Sequence, residues 1–210
     1  MIKTEQSVIL GGFLPSFFML IWNANKKIPE NIHKELVDRI EKNYSNREEY
    51  FTSFNNSEGK FKDILVPYYQ DIMEQMMRNL GLWKKATYSY NVWTQMYNSQ
   101  TTTHAPHSHF AGNVIISFTH IINASKEKCF YFLDDDNNKI YPSPQQSGDI
   151  FAWPSWSIHG VDKVQEPNVN RLIVAGNVAL HSYNFPNEKF SLECTDDQKG
   201  TVVWRNTPYG

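Results

Sequence analysis

Gly148-Asp149-Ile150-Phe151-Ala152-Trp153-Pro154-Ser155-Trp156-Ser157-Ile158-His159-Gly160-Val161 is the stretch of this 210-residue chain on which its reading turns. A Gly-Asp turn opens a short aromatic and β-branched run, Pro-Ser-Trp breaks it, and a histidine starts the next run, so the text reads as strand, loop, strand. Fifty residues before His159 stands His107-Ser108-His109, and twelve residues after it stands Arg171, at the head of Arg171-Leu-Ile-Val-Ala-Gly-Asn177. On an extended chain residues i and i+2 point the same way, which places the imidazoles of His107 and His109 side by side. His159 from a second strand completes a set of three neutral nitrogen donors on one face of a metal, leaving positions open opposite them. On the last run Arg171, Ile173, Ala175 and Asn177 share one face, and Leu172, Val174 and Val178 share the other. A guanidinium opening such an apolar strand requires an anionic partner, because burying it unpaired is costly. The partner is either a protein carboxylate or a bound carboxylate ligand, whose planar geometry the guanidinium fork matches.

The rest of the chain frames this block. Forty per cent apolar and 14% aromatic residues supply a sizeable core, and 210 residues suit one domain. Residues 1–84 read as a helical support region. Ile32, Leu36, Val37 and Ile40 fall on one face of a helix over residues 28–42. Leu65, Tyr68, Tyr69, Ile72, Met76 and Leu80 do so over residues 61–81, with Pro67 at a first turn or kink and Gly81 as the stop. The intervening residues 43–60 are polar and loop-like. Residues 85–182 alternate short aromatic and β-branched runs with turns, and Asp134-Asp-Asp-Asn-Asn138 reads as a solvated hairpin turn, lacking the spacing of a calcium loop. Helices followed by many short strands predict an α+β, mainly β fold: a double-stranded β-helix, or jelly roll of cupin-like form, with the N-terminal helices packed on one sheet. Residues 183–210 form a C-terminal extension with no clear pattern.

A net charge of −2 provides no basic surface for nucleic acid, and no segment reaches the ~20 apolar residues of a membrane span. The apolar run Ile9–Trp22 carries a proline and two glycines and reads as a buried strand and turn. Cys129 and Cys194 form no spaced framework and read as free thiols of a reducing, cytoplasmic compartment.

The spacing His-x-His, fifty residues, His, twelve residues, Arg resembles the 2-oxoglutarate/Fe(II)-dependent oxygenases. It is most similar to the small prolyl-4-hydroxylase-like members of phage and bacterial type. The resemblance runs over about residues 85–182, from Trp93-Thr-Gln-Met-Tyr97 into His107-Ser108-His109-Phe110, through Gly148–Val161, to Asn170-Arg171 and Asn177. It implies Fe(II) on His107, His109 and His159, and 2-oxoglutarate and O2 as co-substrates. Arg171 would hold the distal carboxylate, with Tyr97 a further co-substrate contact or a core tyrosine. The reaction implied is hydroxylation of a C–H bond, releasing succinate and CO2. The family's second ligand is a carboxylate and here it is His109, so the centre is more positive and the metal identity is open. His104, three residues before His107, could take a ligand place if the strand register differs. Trp153 and Trp156 flank the histidine as loop supports or substrate contacts, and Asp149 reads as structural.

Two other readings stand beside this one. A cupin-like three-histidine dioxygenase would work without 2-oxoglutarate, and a catalytically silent jelly roll would serve as a binding or structural module. The resemblance leaves the substrate open between a peptide or protein residue and a small molecule, and the open strand edges of a jelly roll suit a homodimer.

Overall fold

The structure is a computed structural model and describes residues 20–43, 50–54, 61–82, 86–98, 103–166, 169–183 and 191–194. The expectations for residues 9–19, for 44–49 and 55–60 within the polar segment, and for most of 183–210 lie outside these.

A seven-stranded sheet carries the fold. Its order is β1 (Trp22–Asn25), β8 (Asp149–Pro154), β5 (Val114–Asn123), β10 (Arg171–Tyr183), β3 (Ala86–Tyr97), β11 (Ser191–Cys194), with β2 (Phe51–Thr52) also on β3. A second sheet runs β4 (His104–His107), β9 (His159–Val161), β6 (Phe130–Leu133), β7 (Lys139–Ile140). Every pairing is antiparallel except β11 with β3. The helices α1 (Glu30–Asn43) and α2 (Lys62–Asn79) match the two expected segments. The fold is thus mainly β with two helices and two sheets, as the patterning required.

Period-2 alternation divides the large sheet into two faces. Tyr88, Tyr90, Val92, Met96, Ile116, Phe118, Ile150, Ala152, Leu172, Val174 and Val178 point one way. They form a single buried cluster with Leu36 and Ile40 of α1 and with Leu65, Tyr69, Ile72, Met73, Met76 and Met77 of α2. The methionines are fully buried core residues, moulding to the sheet as unbranched side chains do. Trp93, Tyr97, Ile121, Phe151, Trp153, Ile173 and Ala175 point the other way and pack on Phe130, Phe132 and Val161 of the smaller sheet. The split predicted for Arg171–Val178 holds residue by residue.

Local signals behave as their chemistry dictates. Gly81, at φ 71°, ends α2: the Leu82 amide donates to Met77 O and the Gly81 amide to Arg78 O, both 3.0 Å, closing the helix end. Pro67 sits inside α2 rather than at its first turn. Asp134 accepts the amides of Asp136 and Asn138 at 3.0 and 2.8 Å, making the expected β6–β7 turn. Asp149 is structural, accepting from Asn25 Nδ2 and the Gln146 amide, both at 2.7 Å. Gly176 admits no side chain, since a Cβ would stand 2.3 Å from Asn91 O and 2.4 Å from the Phe118 ring. β11 was not expected, because Ser191–Cys194 has no alternation of its own and acquires strand form only from the edge of β3. Among the described residues no helix is long and apolar enough to cross a membrane.

One buried polar tie joins helices to sheet. His120 Nε2–H donates to Lys26 O at 2.8 Å, so its Nδ1 accepts the Tyr69 hydroxyl at 2.6 Å. Burial pushes this imidazole down to about 4 from its ordinary 6.5. The unfolded chain therefore takes up a proton near pH 6.5 that the folded chain refuses until about pH 4. The stabilisation is complete above pH 6.5 and is lost on acidification through that window. His120 alone should contribute up to about 3 kcal/mol of this loss. Urea unfolding from pH 7 to pH 4 should show a steeper fall in stability for the native chain than for His120→Asn; equal slopes would refute the account.

Candidate metal centre

The site lies between the two sheets, where β4 and β9 bring distant histidines into register. His107 and His159 are directly paired across these strands, and His104 pairs with Val161. Three steps along β4 thus match two along β9, which is a bulge around Ala105-Pro106. Pro106 has no amide hydrogen to give to the ladder, which makes this the natural place for it. The bulge also reverses the parity, so His104 stacks on His107 with centroids 4.5 Å apart instead of facing away.

β4 ends at His107, so the strand reading of His-x-His needs correction for its second histidine. His109 lies in the connection that follows, where its amide donates to Ser155 O at 2.9 Å. That bond ties the loop after β4 to the loop after β8 and turns His109 back toward the others. The imidazole nitrogens of His107, His109 and His159 lie within 4.8 Å of one another.

The hydrogen bonds fix which nitrogens face inward. His107 Nδ1 lies 2.8 Å from Ala105 O and His159 Nδ1 lies 3.0 Å from Ser157 O. A carbonyl only accepts, so both Nδ1 atoms carry hydrogen and both Nε2 atoms carry lone pairs. His109 Nδ1 is likewise 2.7 Å from Asn177 Oδ1. His107 Nε2 and His109 Nε2 then face each other at 3.2 Å with no hydrogen between them. Two lone pairs so placed need a cation. Burial pushes His109 down to about 4 and holds His159 well below its ordinary range, the neighbouring imidazoles adding to the latter effect. Nitrogen donors at about 2.1 Å from one ion and at right angles lie roughly 3 Å apart, so a metal ion matches the contact.

His104 has other work. Its Nδ1–H donates to Tyr97 Oη at 2.9 Å, the Tyr97 hydroxyl in turn donates to Gln95 Oε1 at 2.9 Å, and His104 Nε2 lies 3.4 Å from Tyr50 Oη. Burial, then the neighbouring imidazoles, push His104 down to about 4. The nitrogens that come together are those of His107, His109 and His159, while His104 is engaged by Tyr97. Tyr50, from the polar segment ahead of β2, stacks on Tyr97 at 5.2 Å; the sequence held no signal for this beyond the tyrosine itself.

Arg171 is 1% exposed, at the start of β10, and pairs with Tyr97 of β3. Its guanidinium carbon stands 5.6 Å from the Tyr97 ring centre. Neither Nη1 nor Nη2 has a hydrogen-bond partner among the described residues. Burial works against its charge, and among the described residues the titratable groups acting on it are Tyr97 and Cys129, not a carboxylate. Trp153 is buried edge-on to His159 at 4.8 Å, whereas Trp156 is 59% exposed, so the two tryptophans divide support and surface between them. A small cavity among His104, His107, His109, His159, Trp93 and Tyr97 opens in front of the triad. The Nε1 of Trp93 and of Trp153 and the hydroxyl of Thr119, on residues lining it, are buried without partners among the described residues.

No protein-family model matches the chain, and no curated protein sequence matches it. Solved structures do. The non-heme α-ketoglutarate-dependent carbocyclase SnoK of nogalamycin biosynthesis superimposes with a TM-score of 0.55 at 8% identity, over 78% of this chain and 81% of that one. The non-heme α-ketoglutarate-dependent epimerase SnoN of the same biosynthesis gives 0.55 at 8% identity, over 80% and 82%. A prolyl hydroxylase from Trichoplax adhaerens, solved with a hypoxia inducible factor peptide, gives 0.52 at 8% identity, over 75% and 82%. The fold is therefore that of 2-oxoglutarate oxygenases, prolyl hydroxylases among them, and at this identity the likeness extends to fold alone.

An uncompensated buried guanidinium costs folding energy. Arg171→Met should raise the stability of the ligand-free protein by on the order of 1 kcal/mol or more. A fall in urea midpoint instead would show that a protein group pairs with the arginine.

Proposed function

We propose that this chain is a 2-oxoglutarate- and Fe(II)-dependent dioxygenase, with His107, His109 and His159 as metal ligands and Arg171 as the anchor for the distal carboxylate of 2-oxoglutarate. The observation that carries the co-substrate assignment is Arg171: a buried, always-charged group whose two Nη atoms have no partner, and which no carboxylate faces, among the described residues. The donor set fits the metal, since three Nε2 lone pairs converge and each Nδ1 hydrogen is already engaged. Bound there, Fe(II) with 2-oxoglutarate and O2 supplies the oxidising power to functionalise a C–H bond, with succinate and CO2 released.

The chain's own residues bind and orient. Tyr97 presents its ring face to Arg171 while its hydroxyl is occupied by Gln95 and His104, so it seats the arginine and holds the direction of the fork. Trp153, Phe130 and Phe132 wall the buried side of His159 and exclude water from it. The proposed outcome is hydroxylation of a peptide or small-molecule substrate in the cytoplasm, where thiols such as the buried Cys129 stay reduced.

The approach side has a distinct character. Phe110, Trp156 and Ile158 are the exposed large apolar side chains among the described residues, at 68, 59 and 48%. All lie within three positions of His109 or His159, and the His109–Ser155 bond joins their loops. Residues 86–125 and 150–161 contain no Asp, Glu, Lys or Arg. We read this as a rim that receives an uncharged, apolar or aromatic part of the substrate. Trp156→Ala with Phe110→Ala should raise KM at least several-fold with little change in kcat, leaving Fe(II) affinity unchanged. A kcat-only effect would remove the rim from substrate binding.

A second reading keeps one specific support: His109 stands where the resembling enzymes have a carboxylate, as a three-histidine dioxygenase independent of 2-oxoglutarate would have it. Anaerobic titration of metal-free protein with Fe(II) and then 2-oxoglutarate separates the two. A weak visible charge-transfer band of the iron–keto-acid chelate is expected, lost in His159→Ala and in Arg171→Ala. Tight iron binding without the band would overturn the 2-oxoglutarate assignment in favour of the second reading. Absence of iron binding would leave a non-catalytic binding or structural module.

A further inference from the structure

We infer that Asn177, with Ser117, is the positioning residue that makes His109 a metal ligand, an uncharged amide–hydroxyl pair doing for this imidazole what backbone carbonyls do for the other two. The inference rests on the reading of the triad as a metal centre.

The hydrogens in this triangle can be counted. The Ser117 hydroxyl donates its one hydrogen to Asn177 Oδ1 at 2.9 Å. Ser117 Oγ therefore turns a lone pair toward His109 Nδ1 at 3.1 Å, and Asn177 Oδ1 turns another toward it at 2.7 Å. Facing two acceptors, Nδ1 carries the hydrogen, and Nε2 is left with its lone pair on the side of His107 Nε2. The sheet builds the triangle: Asn177 is paired in register with Ser117 of β5 and Asn91 of β3, and its amide is held by Asn91 Oδ1 at 3.0 Å. Ser117 is fully buried, so the arrangement is not a chance surface contact.

The contrast within the triad gives the pair its meaning. His107 and His159 donate Nδ1–H to carbonyls two residues earlier, Ala105 O and Ser157 O, so their own loops set them whatever the neighbouring side chains. His109 depends on side chains 68 and 8 positions away. It is the one ligand of the three whose orientation and basicity a side-chain substitution can tune. Losing such a partner characteristically lowers metal affinity about 10- to 100-fold, and a carboxylate in its place raises ligand basicity.

Co(II) binding, read by visible d–d absorption, tests this with no turnover required. In Asn177→Ala, Co(II) affinity should fall about tenfold or more with a changed band shape, while thermal stability stays near that of the native chain. Asn177→Asp, of the same shape but charged, should raise affinity above the native level and change the band shape. Nitrogen NMR of the metal-free native protein should show His109 in its Nδ1–H form. If native protein binds Co(II), His159→Ala abolishes it, and Asn177→Ala leaves affinity and spectrum unaltered, the inference falls while the metal centre stands. If Asn177→Ala does not fold, the carboxylate variant decides alone: affinity and spectrum equal to native would overturn the positioning role. Equally weak Co(II) binding by native protein and His159→Ala would overturn the metal-centre reading and this inference with it.

Discussion

The two-residue period of the seven-stranded sheet is the constraint on which the rest depends. The sheet is buried on both sides, by helices on one and by the smaller sheet on the other, so a slip of one residue would exchange core for site along a strand. β10 shows this most clearly. Leu172, Val174 and Val178 meet the helices, while Arg171, Ile173, Ala175 and Asn177 face the triad's side. The packing energy of one face thereby fixes the position of an arginine and an asparagine on the other, both of which bear on the proposed chemistry.

The electrostatic character of the site follows from what packs there. His109 and His159 held neutral by burial, acceptors on all three Nδ1 atoms, and a guanidinium, indoles and a hydroxyl without partners among the described residues make a region rich in positive and donor character. Nothing in the described protein balances it. A divalent ion with a dicarboxylate would, since the ion takes up the lone pairs and the anion takes up the fork. Neutral imidazole accepts several transition metals, and the arginine is what narrows the choice of co-ligand.

Fold and reaction should be kept apart here. The superimposable enzymes include a carbocyclase, an epimerase and a prolyl hydroxylase. One architecture thus serves several outcomes, and the outcome is settled by how a substrate is presented to the centre. In this chain the groups proposed for that presentation are the exposed Phe110, Trp156 and Ile158, with His109, proposed as a ligand, standing where the resembling enzymes carry a carboxylate.

The sequence by itself determined the two helices, most strands of the large sheet and the two faces of Arg171–Val178, and it singled out His107, His109 and His159, whose nitrogens the structure brings together, with Arg171 as a further candidate. It could do so because period and turn chemistry are local properties, written in residues a few positions apart. Only the tertiary structure decided the rest. His104 is turned onto His107 by a bulge whose register belongs to β9, and His109 reaches the centre through the Ser155 carbonyl after β4 has ended. Tyr50 arrives from the segment ahead of the second helix, and Asn177 meets His109 across 68 residues. That no anion stands beside Arg171 among the described residues is likewise a matter of packing. Each is a hydrogen bond or contact between residues far apart in the chain, and periodicity along one strand carries no information about which partner a distant strand will place opposite it.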